Sequence, residues 1–98
     1  MEKRTPHCEL PLVKTLIDAG KVRATHTART TASLLGFDFK GMVTVVASLT
    51  MKDFYKSMTT HADHRIWQDV YRPQTSAGAI YVKLTVIDEV LIVSFKEL

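Results

Sequence analysis

Apolar residues recur at helical spacing through the first half of the chain and alternate with polar ones in the second. In LPLVKTLIDAG (10–20), Leu12, Val13, Leu16 and Ile17 follow the helical period. Pro11 suits a first turn there and Gly20 the position past the end. TARTTASLLG (27–36) repeats this grammar, with Thr27 as the expected N-cap and Gly36 as the stop. FDFKGMVTVVASL (37–49) carries two signals. Phe39, Met42, Val46 and Leu49 fit a helix, whereas the β-branched content favours a strand; Asp38 as a cap decides for helix. TMKDFYKSM (50–58) pairs Thr50 with Asp53 as in a capping box, so a short helix is predicted to carry Tyr55, Lys56 and Met58.

IWQDVYR (66–72), AIYVKLTVI (79–87) and VLIVSFK (90–96) alternate and are rich in β-branched and aromatic residues, which predicts three strands. Asp88 and Glu89 leave room only for a two-residue turn between the last two, hence an antiparallel hairpin. N-terminal helices packed on a C-terminal antiparallel sheet make an α+β domain spanning residues 1–98. The two-residue turn sets Ile87 against Val90, Thr85 against Ile92, Lys83 against Ser94 and Tyr81 against Lys96. Opposed residues share a face of a sheet. Tyr81, Lys83, Thr85, Ser94 and Lys96 then lie together, and Ile80, Val82, Leu84, Val86, Leu91, Val93 and Phe95 form the core face. Several loop lengths at QTSAG bring Gln68 and Arg72 onto the polar face as well.

Composition narrows the classes without choosing among them. A chain of 98 residues, 46% hydrophobic and 23% charged, is ordinary for one globular domain with a single core. One cysteine, Cys8, excludes an intramolecular disulfide framework, fits the reducing cytoplasm, and is expected to be an inert thiol. MEKRTPHCELP lacks an apolar stretch behind its basic residues, so no secretory signal is expected, and MVTVVASL is too short for a membrane span. The net charge of +3 permits a polyanionic partner but does not require one. The loop THADH places His61, Asp63 and His64 within four residues, which invites a metal reading. Zinc needs three or four ligands at about 2.0–2.3 Å, and no neighbouring residue completes the set. Solvated loop residues are the better reading.

A half-exposed antiparallel sheet always has one polar face, so the face around Tyr81 can be bland. Its contents are more particular. It gathers cations, a phenol and an amide, with no carboxylate at the alternating positions of the three strands. Lysine and arginine meet phosphate oxygens, and tyrosine stacks on bases. The same groups suit metal-free RNA cleavage, in which the ribose 2′-hydroxyl attacks phosphorus and the protein moves protons and stabilises charge. The carboxylates that two-metal nucleases require are missing from these positions. Elsewhere, Trp67 faces opposite to Gln68 and is expected in the core, while Lys83 can serve simply to solvate the sheet.

MEKRTPH, DFYKSMTT, IWQDVYRP and VLIVSFKE together resemble the MqsR toxin family, over the full chain. The resemblance implies a RelE-like fold and a sequence-preferring mRNA endoribonuclease of a type II toxin–antitoxin system, with no metal or other cofactor. It also implies a zinc-binding antitoxin of the MqsA type as partner, and operator DNA contacted only through the antitoxin complex. The family's active-site residues fall on Lys56, Gln68, Tyr81 and Lys96, with Tyr55, Met58 and Arg72 nearby. The chain departs from the family pattern at His61, Asp88 and Cys8 and in much of 25–49.

On this reading Lys56 and Tyr81 move protons, Arg72 and Lys96 stabilise charge in the transition state, and Gln68 positions the substrate. Tyr55, Met58 and Lys83 complete the substrate-binding surface. The expected setting is the cytoplasm, away from membranes. The rival reading is a non-catalytic module that holds RNA or an acidic protein on the same basic face, and a third is a metal enzyme built on the histidine loop.

Overall fold

The computed structural model describes residues 1–98. Three helices, α1 (Leu10–Asp18), α2 (His26–Leu34) and α3 (Phe39–Ala47), cover one face of a seven-stranded sheet. The strands are β1 (Glu2–Lys3), β2 (Val22–Ala24), β3 (Phe54–Thr59), β4 (Trp67–Tyr71), β5 (Gln74–Thr75), β6 (Gly78–Ile87) and β7 (Glu89–Glu97). Their order is β1-β3-β4-β6-β7-β2, with β5 pairing β6 off this path. All pairings are antiparallel except β2 against β7. The α+β class agrees with the sequence reading, but the sheet is mixed and recruits two N-terminal strands. Two- and three-residue strands are too short to show a period, so neither was legible in the pattern.

The helix ends follow local chemistry. Pro11 sits in the first turn of α1, and Gly20 takes φ +76° just past its end, a conformation open to glycine. In α2 the N-cap is Thr25 rather than Thr27: its hydroxyl accepts from Ala28 N at 3.1 Å. Its backbone N–H is meanwhile held by Ile92 O, so docking on β7 sets where the helix starts. In α3 the Asp38 carboxylate accepts from Gly41 N at 2.7 Å, and Met42, Val46 and Leu49 are fully buried. A cap contributes about 1 kcal/mol, and each buried apolar side chain about 1.5–3 kcal/mol. Those gains outweigh the small helix penalty of the β-branched residues.

The helix predicted for 50–58 is a single 3₁₀ turn, Met51–Asp53, followed by strand β3. Thr50 N–H does donate to the Asp53 carboxylate, at 2.9 Å. The chain then extends because β3 gains ladders on both sides, with β1 and with β4, whereas a short helix is marginal alone. Tyr55, Lys56 and Met58 are therefore strand residues.

The hairpin between β6 and β7 differs from the expected two-residue turn. Asp88 alone turns the chain, at φ 64°, and Ile87 opposes Glu89. Thr85 thus opposes Leu91 and Val86 opposes Val90. Val93 is then left over as a bulge between the pairs Leu84–Ile92 and Lys83–Ser94. Beyond it the expected pairs return, Lys83 with Ser94 and Tyr81 with Lys96. The core side of β7 is accordingly Val90, Ile92 and Phe95, and Leu91 and Val93, expected in the core, are only half-buried. One cluster of 15 buried residues joins these to Val13, Ala28, Ala32, Met42 and Val46 on the helices.

Candidate active site

The register of four neighbouring strands gathers the candidate residues on the face away from the helices. Lys56 opposes Val70, which opposes Lys83, which opposes Ser94. One step along, Tyr81 opposes Lys96, and Arg72 follows the end of β4 beside them. At the other end Met58 opposes Gln68. A register shift between Phe54 and Lys56 leaves Tyr55 as the extra residue of β3, and its ring packs against the Arg72 guanidinium at 3.9 Å. Gln68 lies two residues along β4 from Val70, about 7 Å down the strand, so it shares the face without flanking Tyr81.

The centre of this face is crowded with positive charge. The Tyr81 ring has the Lys96 ammonium at 5.2 Å and the Lys83 ammonium at 5.8 Å from its centre. The Tyr55 ring has Lys56 at 5.4 Å and Arg4 at 5.9 Å. Burial, helped by Lys96 and Lys56, pushes the Lys83 ammonium below the usual lysine range. Burial also raises the Tyr81 phenol; the Lys56 charge pulls it down and Tyr55 adds to the rise. Tyr81 is thus a protonated donor at neutral pH, and Lys83 is a lysine eased toward its neutral form. Val70, wholly buried beneath them, gives the lysine stems an apolar floor.

One carboxylate enters the face from outside the three predicted strands. β1 pairs with β3 so that Glu2 opposes Met58, and Lys56 Nζ donates to Glu2 Oε2 at 3.1 Å. Residues 7 and 8 are fastened on the helix side. The buried Asp69 carboxylate accepts from His7 N and Cys8 N, both at 3.0 Å, and from Ser57 Oγ at 2.6 Å.

Residues 5–97 match the family described as motility quorum-sensing regulator, toxin of MqsA. Over 97 residues the chain is 60% identical to the mRNA interferase toxin MqsR of Escherichia coli (strain K12), covering 99% of each. The chain belongs to the MqsR toxin family.

The residues that the family resemblance picked out, Tyr55, Lys56, Met58, Gln68, Arg72, Tyr81 and Lys96, lie on this one face. Lys83, chosen from alternation, lies at its centre. The face is open, as a polymer substrate needs; the largest hollow, about 750 Å³, lies elsewhere, around His7–Glu9, Leu12, Leu16 and Val86. Sequence reasoning missed Glu2 and Arg4, which precede any periodic segment. Trp67 is not a core residue: it is half-buried, with His7 stacked on it at 5.6 Å and Lys3 at 4.2 Å over its ring. In the histidine loop, His61 and His64 are exposed, and Asp63 is engaged by Arg65 at 3.1 Å. No three His, Cys, Asp or Glu side chains converge anywhere in the fold. Burial and the Asp69 charge push the Cys8 thiol up, which disfavours the thiolate. No helix is long and apolar enough to cross a membrane.

Proposed function

We propose that this chain is an mRNA interferase toxin that cuts RNA by attack of the ribose 2′-hydroxyl on the adjacent phosphorus, with no metal ion. The observation that carries this reading is the cluster of Lys56, Lys83 and Lys96 around Tyr81 on an open, apolar-floored face. The reaction needs three things: a base for the 2′-hydroxyl proton, positive charge near the phosphorane-like transition state, and an acid for the departing 5′-oxygen. Lys83, whose ammonium gives up its proton more readily than an ordinary lysine's, is the base in this reading. Tyr81 is the acid, because its phenol keeps its proton. Lys56 stands next to Tyr81 to support that transfer, and Arg72 and Lys96 stabilise the added charge. Gln68 and Met58, further along the face, and Tyr55, stacked on Arg72, hold the flanking nucleotides.

The products are then a 2′,3′-cyclic phosphate and a 5′-hydroxyl, and DNA, lacking the attacking group, is not cut. The natural substrate is mRNA in the cytoplasm. The partner is a zinc-binding antitoxin of the MqsA type, which brings the pair to operator DNA. The purified chain, incubated with a transcript in EDTA, should generate discrete new 5′ ends bearing hydroxyls. RNA bound tightly but left whole would make the chain a binding module, and cleavage abolished by EDTA would make it a metal enzyme.

A further inference from the structure

Resting on that reading, we propose that Glu2 is a positioning residue of the cleavage site, tethering the Lys56 ammonium in place beside Tyr81. β1 carries Glu2 to the edge of the sheet opposite Met58, on the side of β3 that also bears Lys56. Its Oε2 accepts from Lys56 Nζ at 3.1 Å. No other carboxylate pairs with Lys56, Lys83 or Lys96; the remaining ion pairs join Arg23 to Glu89 and Arg65 to Asp63.

A carboxylate on a face that receives a polyanion repels the phosphates, so by itself it weakens binding. What it returns is geometry. Lysine is a point charge on a flexible four-carbon stem, and the polar groups around Lys56 are otherwise cations and phenols. Tyr55 lies beside it on β3, Arg72 follows β4, Tyr81 and Lys83 come from β6, and Lys96 from β7. The cations among them repel the ammonium, and the Glu2 carboxylate offsets that repulsion. The Lys56 side chain is only 20% exposed against 56% for Glu2, so the pair holds the lysine inward while the acid takes the solvent side. β1 is itself braced, since His7 N and Cys8 N are clamped by Asp69 and Lys3 and His7 lie on Trp67.

The experiment compares wild type, Glu2→Gln and Glu2→Asp in single-turnover cleavage of one RNA, and in binding of its non-cleavable 2′-deoxy form. Misplacing a group by about an ångström costs up to about 10²-fold, so Glu2→Gln should cut about 10–100-fold more slowly. Its affinity should stay equal or improve, because a repulsive charge is gone, and Glu2→Asp should recover most of the rate. β1 pairs through its backbone, so thermal unfolding should match wild type in both variants. A Glu2→Gln protein that cuts at the wild-type rate overturns the proposal and leaves the endoribonuclease reading standing. Parallel loss of rate and affinity without rescue by aspartate also overturns it, by making Glu2 a strand anchor. Absence of cleavage by wild type sinks the endoribonuclease reading itself, and the role of Glu2 with it.

Discussion

Tyr81 and Lys96 stand directly opposite one another on β6 and β7, with the ammonium 5.2 Å from the centre of the ring. Two irregularities that cancel produce this pairing. The one-residue turn at Asp88 would, continued regularly, set Tyr81 against Phe95 and turn Lys96 away. The bulge at Val93 restores the alignment and allows Val90, Ile92 and Phe95 all to reach the core. Bulges commonly re-aim side chains next to active sites.

The turn gives a first prediction. Asp88 occupies φ 64°, where short polar residues and glycine are tolerated and β-branched ones are strained. Asp88→Val should destabilise the fold by about 1–2 kcal/mol, seen as a lower urea midpoint. Asp88→Gly should stay close to wild type.

Tyr81→Phe removes one hydroxyl and keeps the ring between Lys83 and Lys96. A general acid contributes about 10²–10⁴-fold, so single-turnover cleavage should slow at least about a hundredfold. Affinity for a non-cleavable RNA should hardly change, since the interaction lost belongs to the transition state. Wild-type rates from this variant would leave the phenol only a recognition or packing role.

The pH dependence follows from Lys83. Its ammonium sits below the usual lysine range because burial and the charges of Lys96 and Lys56 disfavour it. The neutral amine therefore grows as pH rises through that lowered value, and cleavage should rise with it. In Lys83→Arg the guanidinium cannot lose its proton, so this rising limb should disappear from the pH–rate profile while RNA binding persists. A limb unchanged in the variant would assign the base elsewhere.

Asp69 is buried and accepts three hydrogen bonds, two from the N-terminal segment (His7 N and Cys8 N) and one from Ser57 Oγ on β3. Asn offers one acceptor oxygen and turns an NH₂ toward donors. Asp69→Asn should cost about 3 kcal/mol, given that hydrogen bonds to charged groups contribute about 1.5–3 kcal/mol each. Amide exchange at His7 and Cys8 should quicken more than in the helices, and uniform exchange would refute this local role.

Much of the candidate site was legible because its residues lie on one face of long alternating strands. Tyr81 and Lys83 group from spacing alone and Arg72 and Gln68 follow by parity, whereas Lys96 joins them only because the Val93 bulge offsets the one-residue turn at Asp88. Lys56, Tyr55 and Met58 stand out only through the family resemblance, and their local pattern points to a helix where the fold makes a strand. FYKSM has no period strong enough to oppose the capping signal of Thr50 and Asp53. Trp67 reads as a core residue in the local pattern because its cover, His7 and Lys3, comes from some sixty residues away.

Short-range pattern in the chain is enough for the three helices, the three long strands and the chemistry of the polar face. Periodicity and capping are local, and each acts within a few residues. The remainder needs the assembled fold: β3 as a strand between two partners, β2 laid parallel on β7, the bulge at Val93 and the delivery of Glu2 to Lys56. Each of these depends on backbone hydrogen bonds or charges that meet only after distant segments close on one another. The energy that selects them is absent from any short window of the chain.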